Sequence, residues 1–179
     1  MRKNKTIKII MAALMAAMTC IATMIIKVPS PTGYIHLGDG MVLLSGIILG
    51  PIYGGAAAGI GSMFADLFLG YAGFAPATLI IKALAAIVGG AVYHALYGKL
   101  SHSKLKLTAV ILAGICGGVI VTGGYFVFEG YIMNLGYAAA ASSVPFNLVQ
   151  NAFGIIVSTI LLPVLTKVPV VRELTVINN

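Results

Sequence analysis

A small set of polar side chains is scattered through an otherwise apolar chain, and these residues are the ones equipped to bind a molecule. They comprise carboxylates, an amine, amides, phenols and an imidazole: Tyr34, His36, Asp39, Asp66, Lys82, Tyr125, Glu129, Asn147, Gln150 and Asn151. Amides and aromatic faces with a few charged groups are typical of a pocket for a small, flat, hydrogen-bonding molecule. The set therefore predicts a small-molecule binding site. Strong bidentate capture of a phosphate is not expected, because no arginine lies near these residues.

Enzymatic motifs are not found among the same residues. There is no GxxxxGK[ST] stretch for ATP hydrolysis. The G-x-S within residues 59–63 would need a histidine base, but His36, His94 and His102 are all expected at other membrane depths than Ser62. The three scattered histidines have no acidic neighbours at helical spacing, so neither a metal site nor a cofactor is expected. We predict a protein that is not an enzyme.

The composition indicates a membrane protein. Hydrophobic residues make up 60% of the 179-residue chain, charged residues only 8%, and the mean hydropathy is +1.06. Soluble domains carry about a quarter charged residues, so the apolar surface here requires lipid as its solvent. The net charge of +7 is then expected to report membrane topology and not nucleic-acid binding. Cys20 and Cys116 lie within apolar runs, as small packing residues do.

Hydrophobic runs predict an all-α, compact bundle of six transmembrane helices that forms a single domain over residues 1–179. The predicted spans are 7–26, 40–52, 54–70, 75–98, 107–128 and 145–166. The first run is about 20 residues long, enough to cross a bilayer and longer than a signal-peptide core. Gly50 and Pro51 separate the second and third spans, because proline there favours a tight turn or a kink over a continuous helix.

Basic residues give the orientation. Nine of them fall on one predicted side, namely Arg2, Lys3, Lys5, Lys8, Lys99, Lys104, Lys106, Lys167 and Arg172. Only Lys27 falls on the other side, and Lys82 lies within a span. Because basic residues concentrate in the cytoplasm, both termini are predicted to be cytoplasmic.

The intramembrane polar groups are predicted to lie in the outer half of the bilayer. The inner half has few beyond His94 and Tyr97. This asymmetry favours a cup that opens outward over a continuous polar path across the membrane. Two alternatives remain open for Asp66 and Lys82: a purely structural ion pair, or a proton-linked pair in a self-contained small-molecule carrier.

Small residues four apart share a helix face in several spans. The pairs are Ala12 with Ala16, Ala13 with Ala17, Gly55 with Gly59, and Gly114 with Gly118. Such faces allow helices to approach closely. They indicate either internal packing or a docking surface for another membrane protein.

Three stretches resemble a known family. "AALMAA" in the first span, "IIKVPSPTGYIHLGDGMVLLSGIILGPIYGG", and "GIGSMFADLFLGYAGFAPATLIIKAL" are similar to the S components of energy-coupling factor (ECF) vitamin transporters. The resemblance covers nearly the whole chain and favours the branch assigned to hydroxymethylpyrimidine or pyridoxine, with riboflavin or pantothenate as further possible cargo. It implies a multi-pass protein of a prokaryotic plasma membrane.

The resemblance also implies partners and roles for particular residues. An S component binds a vitamin near the outer surface and works with a membrane T subunit and two ATPase subunits. On this basis the faces formed by Ala12, Ala13, Ala16 and Ala17 would dock the T subunit. "GYIHLGDG" would gate the pocket, and Asp39 would cap the second helix or contact the ligand.

Overall fold

A computed structural model describes residues 2–97 and 103–177. Lys99 and His102 lie outside the described residues, and the side chains of Arg2, Lys3, Lys104 and Lys106 are also not described. The elements in chain order are α1 (Arg2–Ile25), β1 (Lys27–Pro29), β2 (Tyr34–His36), α2 (Asp39–Phe68), α3 (Ala75–Tyr97), α4 (Ser103–Val127), a π-helical turn (Phe128–Ile132), α5 (Tyr137–Leu165) and α6 (Pro169–Ile177).

Five helices, α1 to α5, are long and apolar enough to cross a membrane. The prediction of an all-α membrane protein is confirmed, with the addition of one short antiparallel hairpin in which Lys27 pairs with His36. Two predicted boundaries are wrong. The last span begins at Tyr137 and not at 145, and the fifth continues through the π-helical turn to Ile132. The short amphipathic α6 was not predicted.

The predicted second and third spans are the two arms of α2. The helix is broken at Gly50, which has φ 75° and ψ 174°, and Pro51 follows it. Residues with a side chain rarely adopt this backbone conformation, whereas glycine adopts it at little cost. The arms, residues 39–49 and 51–68, therefore replace the predicted spans 40–52 and 54–70.

Contacts with α3 show that the two arms run in opposite directions. In the first arm, Asp39 lies beside Lys82 and Gly46 lies beside Gly90, so this arm runs along α3. In the second arm, Gly55 lies beside Ile87 and Gly59 beside Leu79, so this arm runs against α3. The chain reverses at Gly50, and the number of crossings is even.

The first arm is shorter than the bilayer. Its 11 residues span roughly 16 Å at 1.5 Å per residue, about half of the hydrocarbon thickness. Lys8, near the start of α1, lies over the ring of Tyr53, which follows the Gly50 reversal closely. The reversal therefore lies on the side of the membrane where α1 begins. Asp39 at the other end of the arm therefore lies at depth within the membrane. The hairpin of β1 and β2 occupies the space above it.

The half of the bundle opposite the hairpin is tightly packed. Its core includes Leu44, Ile47, Ile48 and Leu49 of the first arm, all nearly fully buried. Val171 and Leu174 of α6 belong to the same core, so α6 closes this end. Large apolar side chains therefore seal this half together with the small residues that the sequence emphasised.

We expect the α2–α3 interface to tolerate no added methyl group. A Cβ at Gly46 would meet the Ala86 carbonyl, and one at Gly90 would meet the Gly46 backbone. Backbone cannot move aside as a flexible side chain can, so Gly46→Ala or Gly90→Ala should lower the free energy of unfolding by about 1 to 3 kcal/mol. Thermal unfolding in detergent measures this. Gly123→Ala on α4 is the control, because no atom lies within 4 Å of its added Cβ. Equal melting temperatures for all three variants would contradict this packing.

Candidate functional site

A polar pocket lies at the hairpin end of the bundle, with a cavity of about 40 Å³. Its walls come from the hairpin, the second arm of α2, α3, α4 with the π-helical turn, and α5. The lining residues are Ser30, Thr32, Gly33, Tyr34, His36, Asp66, Tyr71, Phe74, Thr78, Tyr125, Glu129, Ser143, Asn147 and Gln150. This cavity is smaller than the about 300 to 1,000 Å³ that small-molecule sites occupy, so its lining has to open to admit a ring-sized ligand.

Asp66 near the end of α2 offers the pocket an unused acceptor. Its Oδ1 accepts a hydrogen bond from the Tyr34 hydroxyl at 2.6 Å. Its Oδ2 is buried and has no partner among the residues that the structure describes. Thr78 adjoins the carboxyl, and its hydroxyl shares a hydrogen bond of 2.9 Å with the Tyr125 hydroxyl in which either oxygen can be the donor. A buried carboxylate oxygen without a donor is costly, so a donor on a ligand that reaches this atom would be stabilising.

Glu129 in the π-helical turn has no such vacancy. Its Oε1 accepts from the Thr32 hydroxyl at 3.0 Å, and its Oε2 accepts from the Ser143 hydroxyl at 2.5 Å. Thr32 belongs to the hairpin loop and Ser143 to α5. Glu129 therefore ties the hairpin to the helices. π-helical turns of this kind often occur at functional sites.

A buried polar network lies beneath the pocket. Lys82, with 0% of its side chain exposed, donates to Asp39 Oδ1 at 2.5 Å. Gln150 donates through Nε2 to Asp39 Oδ2 at 2.8 Å, and the His36 N–H donates to Gln150 Oε1 at 2.9 Å. The Lys82 amine also lies 5.4 Å from the centre of the Tyr125 ring. The chain of contacts joins α2, α3, α4, α5 and the hairpin.

The ion partner of Lys82 is Asp39, so both alternatives that paired Lys82 with Asp66 are wrong. They assumed that the second arm of α2, which precedes α3 along the chain, would supply the neighbour. The short first arm instead places Asp39 at the same depth as Lys82. This arrangement uses both charges within the protein.

The pocket brings together seven of the ten predicted site residues, Tyr34, His36, Asp66, Tyr125, Glu129, Asn147 and Gln150. Asp39 and Lys82 lie below its floor and are not part of its lining. Asn151 lies elsewhere, where it donates to the Gly118 carbonyl at 3.0 Å and to Thr122 at 2.9 Å. The buried stripe of α5 follows Ser143, Asn147, Gln150, Gly154 and Ser158, and Asn151 is on its edge.

Several lining residues were missed by the sequence analysis. Ser143 is four residues before Asn147, and Thr78 is four before Lys82, so extension of each polar helix face by one turn would have found them. Tyr71 and Phe74 follow α2 in a loop, where aromatic side chains at a membrane interface are a usual signal. Thr32 in the hairpin loop carries no distinctive sequence signal.

Burial changes the acid–base behaviour of the two hairpin side chains. Burial and the adjacent Asp66 raise the pKa of Tyr34 well above its usual range, so its hydroxyl stays protonated and able to donate. Burial, assisted by the Lys82 charge, lowers the pKa of His36 to about 3. His36 is therefore neutral at physiological pH.

The four alanines of α1 divide into two faces. Ala12 and Ala16 pack on the core, and Gly61 of α2 abuts the Ala16 carbonyl. Ala13 and Ala17 are exposed. The first face is half-buried against the core, and the second is exposed.

A six-crossing bundle with a polar pocket at one end and a sealed half at the other defines a membrane protein that binds a solute from one side. The model of the family "ECF-type riboflavin transporter, S component" matches residues 3–167. The chain belongs to this family of prokaryotic, multi-pass membrane proteins, and it is a transport subunit and not an enzyme. Membership implies a vitamin as substrate and an ECF module as partner. The matching model is the riboflavin-type one, so it points to riboflavin rather than to the hydroxymethylpyrimidine or pyridoxine branch that the sequence favoured.

Two further similarities agree with this family. An "Uncharacterized protein in gap 3'region" of Pyrococcus woesei is 31% identical over 139 residues, which cover 76% of this chain and 86% of the relative. A solved structure described as "Structure and mechanism of the S component of a bacterial ECF transporter" has a TM-score of 0.67 and 21% identity. That similarity covers 92% of this chain and 97% of the solved one, and it establishes the fold.

The Lys82–Asp39 pair should be essential for stability. Lys82→Met leaves the Asp39 carboxylate buried without its cation, which should cost about 3 to 5 kcal/mol. The double variant Asp39→Asn with Lys82→Met removes both charges and should recover much of that loss. Thermal unfolding of the purified protein measures both effects. Asp66→Asn is the control, because Asp66 does not pair with Lys82; destabilisation by Asp66→Asn as large as that by Lys82→Met would refute the assigned pairing.

Proposed function

We propose that this chain is the substrate-capturing subunit of an ECF importer for a flat, hydroxyl- or amino-bearing nitrogen heterocycle that is neutral or cationic. Pyridoxine and hydroxymethylpyrimidine are the favoured cargo. The chain takes up its substrate from outside and releases it inside together with the T subunit and two ATPase subunits. The observation that carries this proposal is the buried, unpaired Oδ2 of Asp66 at the pocket wall.

The charge of the lining supports a substrate that is not an anion. Asp66 and Glu129 line the pocket, and no lysine or arginine does so among the described residues. The nearby Lys82 amine is already engaged by Asp39. A carboxylate-bearing vitamin such as pantothenate would meet two carboxylates without a compensating cation, so pantothenate is not an expected substrate.

The ring contacts support a flat substrate. Tyr34 and Tyr71 have ring centres 4.8 Å apart, and Phe74 follows Tyr71 at 6.4 Å, so aromatic faces line one side of the pocket. Amide groups of Asn147 and Gln150 lie on the α5 side. The hairpin is hydrogen-bonded to both carboxylates and the cavity beside it is only about 40 Å³, which favours one ring over the three fused rings of riboflavin. Riboflavin, named by the matching family model, is the direct competitor.

The alternative of a self-contained proton-coupled carrier has no supporting observation. It required Asp66 and Lys82 as a proton-linked pair, but Lys82 pairs with Asp39. It also required a polar route through the other half of the bundle, where Leu44, Ile47 and Ile48 are fully buried. Import by this chain is therefore expected to depend on partner subunits.

Substrate binding should depend on the Asp66 charge. Titration of the purified protein with pyridoxine, hydroxymethylpyrimidine, riboflavin and pantothenate is expected to give tight binding of one of the first two. Asp66→Asn should weaken that binding about 10- to 150-fold, the value of a charge-assisted hydrogen bond. Asn151→Ala, outside the pocket, should leave the affinity unchanged. Tightest binding of riboflavin would refute the single-ring preference, and tight binding of pantothenate would refute the charge argument.

Docking of the T subunit should depend on the exposed face of α1. Ala13→Leu with Ala17→Leu replaces the small side chains of that face, which prevents close helix approach, and should abolish co-purification with a T subunit while substrate binding is retained. Ala152→Leu on α5 is the matched control, because it adds the same side chain at another exposed alanine. Ala16→Leu should reduce the yield of folded protein, because Ala16 is half-buried against the core. Co-purification that survives the double substitution would rule out this docking face.

A further inference from the structure

We propose that His36 is a specificity-determining residue of the pocket, which presents a fixed Nε2–H donor to an acceptor atom of the substrate. The inference deepens the proposed function and rests on it. Asp66 already requires a hydrogen-bond donor on the substrate, and His36 adds a second requirement. The substrate must also carry a hydrogen-bond acceptor, such as a ring nitrogen or a ring carbonyl, at the position facing His36.

The tautomer of His36 follows from one backbone contact. The Gly38 N–H donates to His36 Nδ1 at 3.0 Å. Nδ1 must therefore keep its lone pair, and the single proton of a neutral imidazole resides on Nε2. The contact is held by close packing, because a Cβ at Gly38 would collide with Thr23 and with His36 Nδ1 itself. No side-chain rotation of a neighbour is needed to maintain it.

The imidazole is held neutral by its surroundings. A second proton would have to be placed on Nδ1, where it would point at the Gly38 N–H. The charged groups that act on His36 are Lys82, which disfavours the imidazolium, and Asp39, which favours it. Both belong to the same ion pair, so they largely offset each other. Burial is the largest influence and lowers the pKa to about 3. The Tyr34 ring, 5.5 Å away, is a neutral neighbour on the pocket side.

The other donors at the pocket are largely committed to the protein. The hydroxyls of Tyr34, Thr32 and Ser143 donate to Asp66 or Glu129. Gln150 uses its amide nitrogen on Asp39 and its oxygen on the His36 backbone. His36 Nε2 has no hydrogen-bond partner in residues 2–97 and 103–177, although its ring lines the pocket. It is thus an uncommitted donor at the pocket, and the Gly38 contact fixes its orientation.

The tautomer can be tested without any ligand. The full-length protein carrying ¹⁵N-histidine, in lipid nanodiscs, is measured by NMR, with His94→Gln and His102→Gln used to assign the three imidazoles. We expect His36 to show an unprotonated Nδ1 and a protonated Nε2, unchanged from pH 8 to pH 5, because its pKa lies below this interval. A protonated Nδ1, or titration of His36 near its ordinary pKa of about 6.5, would overturn the proposal.

The lowered pKa of His36 also determines how the free energy of unfolding changes with pH. Since the unfolded chain binds a proton at His36 near pH 6.5 and the folded chain does so only near pH 3, His36 stabilises the folded state fully above pH 6.5. This contribution is lost progressively as the pH falls from about 6.5 to about 3. His36→Gln should therefore lose less stability than the unsubstituted protein over that interval. An equal loss in both proteins would contradict the lowered pKa.

The donor role is tested with matched substitutions. His36→Gln retains an N–H near the position of Nε2, whereas His36→Met has similar length and no donor. Both variants remove the acceptor for Gly38 equally. With pyridoxine as the probe, His36→Met should bind about 3- to 10-fold more weakly than His36→Gln, the value of one neutral hydrogen bond. An analogue of pyridoxine with C–H in place of the ring nitrogen should abolish that difference.

Hydroxymethylpyrimidine and riboflavin are measured in parallel, since both carry ring acceptors. Equal affinities of His36→Gln and His36→Met for the compound that binds would overturn the donor role, whichever compound that is. If none of the three binds the unsubstituted protein, the proposed substrate class fails. The NMR measurement then decides separately whether His36 presents Nε2–H. The failure of the inference and that of the proposed function are thus distinguishable.

Discussion

The rest of the site depends on the two hydrogen-bonded contacts of the buried Asp39 carboxylate. One oxygen accepts from the buried Lys82 amine, and the other accepts from Gln150, whose own oxygen holds the backbone of the hairpin at His36. Burial of a charged lysine away from water costs free energy unless a close partner of opposite charge neutralises it. The match requires that α2 begin at the depth of Lys82. The short first arm and the reversal at Gly50 satisfy this requirement.

The two carboxylates of the pocket have different functions because their surroundings differ. Glu129 has donors on both oxygens, one from the hairpin loop and one from α5, and so acts as a structural tie. Asp66 has a donor on one oxygen only. A polar group with a free acceptor in a buried pocket is poised for binding, whereas a fully satisfied one is not. The hairpin thus covers the site and also takes up much of its hydrogen-bonding capacity.

The sequence predicted more of the fold than of the site. Long apolar runs fixed the number of crossings, because only helices long enough to span lipid satisfy their own backbone hydrogen bonds there. Gly50 and Pro51 marked the reversal correctly. The hairpin, α6 and the early start of α5 were missed, since short or interfacial segments lack a long apolar run. Seven of the ten predicted site residues do line one pocket. The depth argument succeeded there because it needed only the position of each residue along its helix.

The position of a residue along its helix does not predict which polar side chains pair with each other. Depth along a helix says nothing about rotation around it, so Asn151 was expected in the binding site but lies on the edge of the buried stripe of α5. Likewise, Lys82 pairs with Asp39 and not Asp66, because the short arm of α2 brings a distant carboxylate to the same level. The sequence by itself determined that the chain crosses a membrane and gathers its polar residues toward one face. Only the tertiary structure decided which of them neutralise each other and which remain free, because pairing depends on how separate helices are rotated and packed.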